Sequence, residues 1–99
     1  MADVVVIATA RAKPGKERDL ERALREVAQP TRQQPGCVRF SLYRCEEDPA
    51  VIAGIERWRS KADHDRHLQG PHFQKLAAAM NEIIAGPPQI LWYDIIDEE

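Results

Sequence analysis

The sequence predicts an α+β protein of the ferredoxin-like βαββαβ type, with a four-stranded antiparallel sheet and its helices on one face. Short segments rich in Val and Ile alternate with stretches of helical periodicity in that order. The first and last strands are apolar on both sides, whereas the helices of this topology cover one side only. A second copy of the same sheet is the simplest cover for the other side. We therefore expect a homodimer that pairs through its sheet faces, a dimeric α+β barrel.

The first strand extends from Asp3 to Lys13 and ends at the turn dipeptide Pro14-Gly15. The segment after it is a predicted helix, which Pro35-Gly36 ends. Arginine and glutamate residues occupy one side of this helix, so we expect that side to face solvent. The apolar side chains recur at the spacing of a single helical face: Leu20, Ala23, Leu24, Val27, Ala28 and Thr31.

The segments Cys37 to Cys45 and Ala50 to Trp58 are predicted to form a hairpin around the polar turn 46–49. The two cysteines would lie roughly 26 Å apart at a rise of about 3.3 Å per residue, so no disulfide is expected between them. Side chains alternate between the two faces of a strand. One face of the second strand of the hairpin therefore carries Ile52, Gly54, Glu56 and Trp58.

Ser60 is the candidate N-cap of a second helix, which Gly70-Pro71 interrupts. The helix that restarts near Pro71 is predicted to end at Gly86-Pro87-Pro88, a glycine followed by prolines. Gln89 to Ile96 is the last predicted strand. The apolar face of the restarted helix consists of Phe73, Leu76, Ala77, Met80 and Ile84.

The composition predicts one domain, 1–99, with no nucleic-acid or membrane contacts. A net charge of -2 lacks the basic excess of a nucleic-acid-binding surface. An RNA-recognition domain has the same strand order, but its central strands place stacking aromatics beside basic residues, a pattern that this chain lacks. No segment approaches the ~20 apolar residues of a membrane span, and no signal-peptide core is visible, so we expect a cytoplasmic location.

The histidines after the third strand are the first candidates for a metal site. His64 and His67 lie three residues apart, whereas zinc-binding helices place two histidines four apart and need a third ligand, so no metal is expected. The sequence brings neither Cys37 nor Cys45 close to a histidine, which disfavours a Cys–His nucleophile.

General acid–base chemistry is the better interpretation of this region. Imidazole titrates near neutral pH, so His67 is a candidate to take a proton from an acidic phenol or C–H group. Trp58 offers a flat apolar wall and an N–H donor, and Gly54 leaves space on the face that it shares with Glu56. Each residue also has a structural interpretation: core packing for Trp58, a backbone hydrogen bond for His67 and an ion pair for Glu56.

A set of motif residues resembles a known family, the antibiotic biosynthesis monooxygenase (ABM) domain proteins of the dimeric α+β barrel superfamily. This family includes quinol monooxygenases and cofactor-independent anthrone oxygenases. The resemblance runs from Val4 to Ile96, and its most specific part is the Glu-x-Trp strand end with a histidine nine residues beyond the tryptophan. The motif residues are Pro35-Gly36-Cys37, Tyr43, Asp48-Pro49, Glu56-Arg57-Trp58, Ser60, His67 and Pro71-His72-Phe73.

This resemblance implies a sheet-to-sheet dimer and the oxygenation of electron-rich aromatics by O₂ without a metal or flavin cofactor. The protein would remove a proton from a quinol or anthrone, and the resulting anion would pass an electron to O₂. His67, Trp58 and Glu56 would be the catalytic residues around the cavity. Phe40, Tyr43 and Phe73 would form walls, with Gly54 leaving room for the substrate.

Other activities in the same superfamily provide alternatives. A haem-degrading branch uses an Asn on the first strand, but that position falls at Ala8 or Thr9 here, and the first strand contains no Asn. An isomerase or epimerase of a small oxygenated metabolite would use His67 as a proton shuttle. A non-catalytic, stress-related dimer would only bind its ligand. The substrate and any assembly beyond the dimer are left open by the sequence.

Overall fold

The computed structural model describes residues 3–98, so the predicted domain 1–99 has residues 1, 2 and 99 outside the described range. The order of the elements confirms the predicted βαββαβ arrangement, with the second helix divided at Gly70. No helix within the described range is long and apolar enough to cross a membrane. The elements are β1 (Val4–Arg11), α1 (Glu17–Arg32), β2 (Cys37–Arg44), β3 (Val51–Trp58), α2 (Lys61–Gln69), α3 (Pro71–Met80) and β4 (Gln89–Tyr93).

The four strands form one antiparallel sheet in the order β2-β3-β1-β4. In the register of this sheet, Val6 lies opposite both Glu56 of β3 and Trp92 of β4. A bulge between Cys37 and Arg39 shifts the start of β2, and Phe40 then lies opposite Glu56. Residues that lie directly opposite share a face of the sheet, so Glu56 is central on the inner face.

The helices cover this inner face and enclose the main core. The predicted apolar face of α1 is the one that packs, because Leu20, Val27, Ala28 and Thr31 are its buried residues. From α3, Leu76 and Met80 enter the same core. The strands contribute Phe40 and Ile52.

The helix after Pro71 ends earlier than the sequence predicts. It stops at Met80 rather than Gly86, because the next residues bond to the end of β1 instead of continuing the helix. Ile84 forms an isolated β-bridge with Ala12, and both side chains are buried. A non-local pairing therefore overrides the local helical pattern at this point.

The outer face of the sheet is apolar and open. Large hydrophobic side chains on this side and beyond β4 are exposed: Tyr43, Ile55, Leu91, Tyr93 and Ile96. Arg57 lies on the same side, where its guanidinium donates to the carboxylates of Asp3 at 2.7 Å and Glu98 at 2.7 and 2.9 Å. An apolar surface of this kind is typical of a protein–protein contact.

Candidate active site

A cavity lies between the inner face of the sheet and the helices α1 and α3. Its volume is about 170 Å³. Among the described residues of its wall, Glu56 and His67 are the two with ionisable side chains. Most of the wall is apolar, including Phe40, Leu42, Phe73, Leu76, Met80 and Ile90. A mostly apolar cavity with few polar groups is the usual form of a small-molecule site.

Glu56 is the buried carboxyl group of this cavity. The alternation of β3 directs its side chain inward between Gly54 and Trp58, and the residue is only 5% exposed. The indole Nε1–H of Trp58 donates to Glu56 Oε1 at 2.9 Å. Burial raises the pKa of Glu56 to about 7, although the hydrogen bond from Trp58 opposes that rise. At neutral pH this carboxyl group can therefore both gain and lose a proton.

The second carboxylate oxygen of Glu56 lies beside Gly54. A Cβ atom built on Gly54 would be 3.8 Å from Oε2, so the missing side chain leaves open space next to that oxygen. Within residues 3–98, Oε2 accepts no hydrogen bond, whereas Oε1 accepts one from Trp58. The carboxylate thus has one oxygen held by the protein and one oxygen that a ligand can approach.

The surroundings of His67 orient its ring and keep it neutral. Its Nδ1–H donates to the amide Oε1 of Gln34 at 2.7 Å, which leaves Nε2 as the nitrogen with a free lone pair. The ring stacks on Trp58 with centroids 5.0 Å apart and meets Phe73 edge-on at 5.3 Å. Burial lowers the pKa of His67 to about 4, and the nearby His64 and His72 add to the shift.

Helix α2 brings both of its buried histidines towards β3. Its first turn is capped as predicted, because Ser60 Oγ accepts the Asp63 N–H at 3.1 Å. His64 and His67 lie three residues apart and so project from adjacent positions of one turn. Their rings lie 5.6 and 5.0 Å from the ring of Trp58. Trp58 is therefore packed between Glu56 and the histidines of α2.

His64 contacts Glu56 from the side away from the cavity. Its ring is 1% exposed, and its Nδ1 accepts the indole Nε1–H of Trp92 at 2.8 Å. Its other nitrogen, Nε2, lies 3.9 Å from Glu56 Oε1. The sequence indicated neither this role for His64 nor the contact of Gln34 with His67. The only signal in the sequence for the contact of Trp92 with His64 was the alternation of β4, which places Trp92 on the same face of the sheet as Ile90.

Five of the residues predicted for the site do line one cavity: Phe40, Gly54, Glu56, His67 and Phe73. Trp58 is not on the cavity wall, since it is fully buried behind Glu56. It contributes to the site through its N–H group, which donates to the Glu56 carboxylate. Tyr43 is not brought to the cavity either. It lies on the outer side of β2, opposite Ala53, and is 49% exposed. Ala8 and Thr9, at the position of the haem-branch Asn, line the cavity.

The fold and the cavity define a ferredoxin-like α+β protein with a small-molecule-sized pocket between sheet and helices. Residues 3–79 match the model of the antibiotic biosynthesis monooxygenase family. The chain therefore belongs to this family, as its motif residues predicted.

Proteins of several bacteria are similar to this chain. PA3566 from Pseudomonas aeruginosa shares 28% identity over 98% of this chain and 97% of its own, with a TM-score of 0.92. Rv0793 from Mycobacterium tuberculosis shares 28% identity over 98% of both chains, with a TM-score of 0.91. The protein sll1783 of Synechocystis sp. is 28% identical over 96 residues, which cover 97% of this chain and 65% of that protein. This chain therefore spans about two thirds of the length of sll1783.

Proposed function

We propose that this chain is a cofactor-independent monooxygenase that oxidises a small quinol or polyketide-type aromatic with O₂. The observation that carries the proposal is the Glu56 carboxylate, whose Oε2 faces open space beside Gly54 in an apolar cavity. The name of the family agrees with this reaction class. The substrate and O₂ would bind in one cavity, and the proton would be transferred to Glu56 inside it.

The chemistry balances without an added reductant. With an anthrone as substrate, Glu56 takes a proton from the acidic CH₂ group, and the carbanion passes one electron to O₂. Recombination at that carbon forms a C–O bond, and the peroxide takes the proton back from Glu56. Loss of water from the hydroperoxide then breaks the O–O bond and the second C–H bond and leaves a carbonyl group. One O₂ is consumed, one of its atoms enters the product, and the other leaves as water.

Glu56 is the better candidate for the proton acceptor, although the sequence favoured His67. A general base works best when its pKa is close to the working pH. The pKa of Glu56 is about 7, whereas that of His67 is about 4, so His67 binds protons too weakly. In this proposal His67 instead accepts a hydrogen bond at Nε2 and lines the cavity beside Phe73. Trp58 holds Glu56 Oε1 in place.

The apolar wall supports the electron-transfer step. Phe40 and Phe73 offer aromatic surface for a flat substrate, and the exclusion of water strengthens electrostatic interactions inside the cavity. Covalent chemistry by Cys37 is disfavoured, because burial raises the pKa of that thiol and so reduces its thiolate fraction.

Oxygen uptake tests the proposal directly. An oxygen electrode would follow a reduced naphthoquinone and an anthrone with a chelator present, for the wild type, Glu56→Gln and the off-cavity control Tyr43→Phe. We expect uptake well above the enzyme-free rate for the wild type and Tyr43→Phe, with one O₂ consumed per anthrone, and uptake close to the enzyme-free rate for Glu56→Gln. Uptake at the background rate with every such substrate would refute the oxygenase proposal. Turnover without uptake would indicate the isomerase or epimerase alternative, and binding without turnover would indicate a ligand-binding protein.

Gly54→Ala tests where the substrate lies. The added Cβ would make ordinary contacts at 3.7 Å to Leu42 and 3.8 Å to Glu56 Oε2, so the fold should remain intact. We expect kcat/KM to fall by about tenfold or more, because the methyl group occupies the approach to Oε2. The free energy of unfolding should be unchanged or higher by about 0.4–1 kcal/mol. Ala53→Val adds volume on the opposite face of β3 as the control. Unchanged kinetics in Gly54→Ala would place the substrate elsewhere.

The open sheet face supports the second part of the proposal, a homodimer through sheet faces. Apolar surface is exposed there by Ile55, Leu91 and Tyr93. Arg57 lies on the same face, and the carboxylates of Asp3 and Glu98 neutralise its charge. A chain of 99 residues also gains stability from the extra burial that a dimer provides. Cys37 and Cys45 are both free thiols, which suits the reducing cytoplasm proposed as its location.

Ile55→Arg is the corresponding test. Ile55 is 38% exposed near the middle of the outer face, where a dimer would bury the new charge without a partner. An unpaired buried charge costs several kcal/mol, so we expect the variant to sediment as a monomer at micromolar concentration. The wild type and the α3 surface control Ala78→Glu should sediment as dimers. A monomeric wild type under these conditions would refute the dimer.

A further inference from the structure

The bond between Trp92 and His64 determines where the His64 proton lies. An indole N–H can only donate, so His64 Nδ1, 2.8 Å from Trp92 Nε1, must be the acceptor. A neutral imidazole with a free Nδ1 carries its proton on Nε2. Trp92 therefore selects one tautomer of His64, and that tautomer presents an N–H group at Nε2.

The Nε2 nitrogen of His64 lies near the oxygen of Glu56 that the protein holds. Nε2 is 3.9 Å from Oε1, too far for a direct hydrogen bond but close enough for its N–H dipole to act on the carboxylate. Oε1 already accepts the Trp58 N–H at 2.9 Å. The other oxygen, Oε2, lies on the cavity side, beside Gly54.

We propose that His64 and Trp92 are positioning residues. Trp92 fixes the tautomer of His64, and the His64 Nε2–H then stabilises the ionised carboxylate of Glu56 with Oε2 directed at the substrate. This inference rests on the proposed role of Glu56 as the proton acceptor. A donor that faces a carboxylate favours its charged form, which offsets part of the cost of burying that charge.

The surroundings keep His64 neutral. Protonation of His64 would place a second proton on Nδ1, the atom that accepts the Trp92 N–H. Two N–H donors would then point at each other, which disfavours the charged imidazolium. Burial lowers the pKa of His64 as well, and only Asp65 acts in the opposite direction. Lys61 Nζ lies 5.0 Å from the Trp92 ring centre and helps to hold the indole at this edge of the sheet.

The other groups that titrate near Glu56 do not supply this stabilisation. His67, on the cavity side, has a lowered pKa and is neutral. Cys37 has a raised thiol pKa, to which the charge of Glu56 contributes, so it too is neutral. Among the described residues, Trp58 donates the hydrogen bond to the Glu56 carboxylate, and the inference adds to it the dipole of the nearby His64 Nε2–H.

Magnetic resonance of the intact protein tests the inference without any substrate. Spectra of ¹⁵N-histidine-labelled protein would report the His64 tautomer, and ¹³C-carboxyl-labelled glutamate would report the titration of Glu56. In the wild type we expect His64 to be protonated at Nε2 and bare at Nδ1. Trp92→Phe removes the donor that holds Nδ1 bare, so the Nδ1–H tautomer should become detectable and the proton affinity of Glu56 should rise by about two- to threefold. The outer-face control Tyr93→Phe should change neither signal.

Two substitutions of His64 separate positioning from packing. His64→Leu removes the N–H donor and should raise the proton affinity of Glu56, as Trp92→Phe does. His64→Gln supplies an amide N–H and should restore the Glu56 titration towards the wild-type value. Identical Glu56 titrations in the wild type, Trp92→Phe and His64→Leu would overturn the inference. A lack of oxygenase activity would refute the proposed function but would leave these spectra unaffected.

Discussion

Glu56→Gln is expected to lower kcat/KM for oxygen uptake by about 100-fold or more, the usual loss when a general base is removed. The substitution should leave the fold intact, because the glutamine carbonyl oxygen can still accept the Trp58 N–H, and a buried ionisable group is removed. Oxygen-electrode kinetics with an anthrone would measure the loss, and circular dichroism would verify folding. A variant with wild-type kcat/KM would show that Glu56 is not the base.

The pH profile distinguishes Glu56 from His67 as the base. A base must be ionised to accept a proton, so wild-type kcat/KM should be low below the Glu56 pKa of about 7 and reach a plateau above it. His67→Ala should keep this midpoint, since the pKa of His67 is about 4. In Glu56→Gln the midpoint near pH 7 should disappear. A midpoint near pH 7 that is lost only in His67→Ala would reverse the assignment.

Trp58→Ala should lower the free energy of unfolding by about 3–5 kcal/mol, the range for large aromatic side chains in cores. Trp58 is fully buried, packs with Val4 and Val6, and stacks on His67. Its loss would leave a cavity and would also remove the hydrogen bond to the buried Glu56 carboxylate.

Chemical denaturation would measure this loss, with Tyr43→Ala as the control. Tyr43 is an aromatic residue that is 49% exposed, so its truncation should cost much less, about 1 kcal/mol. Trp58→Phe should recover most of the stability but not the N–H donor, so the pKa of Glu56 should rise in that variant. Equal losses in Trp58→Ala and Tyr43→Ala would contradict the central packing position of Trp58.

The parts of the site that local patterns determine could be predicted from the sequence. The alternation of β3 placed Gly54, Glu56 and Trp58 on one face, because side chains of a strand alternate whatever the sheet packs against. The hydroxyl of Ser60 predicted the first turn of α2, and with it the positions of both histidines.

Features that depend on distant parts of the chain could not be predicted. The end of α3 at Met80 depends on the pairing of Ile84 with Ala12, which no local pattern indicates. The contact between Trp92 and His64 depends on where β4 pairs with β1. The change of the proposed base from His67 to Glu56 has the same origin, because burial changes both pKa values and burial is known only from the packed structure.

Mixing the protein with an anthrone in the absence of oxygen tests the central claim most directly, since that claim is proton removal inside the cavity by Glu56. At pH 8 the carboxylate is ionised, and O₂ is not available to consume the anion. We predict that the absorbance of the anthrone anion appears with wild-type protein, up to one anion per subunit, and is absent with Glu56→Gln. Anthrone that binds to the wild type but stays un-ionised would contradict the account.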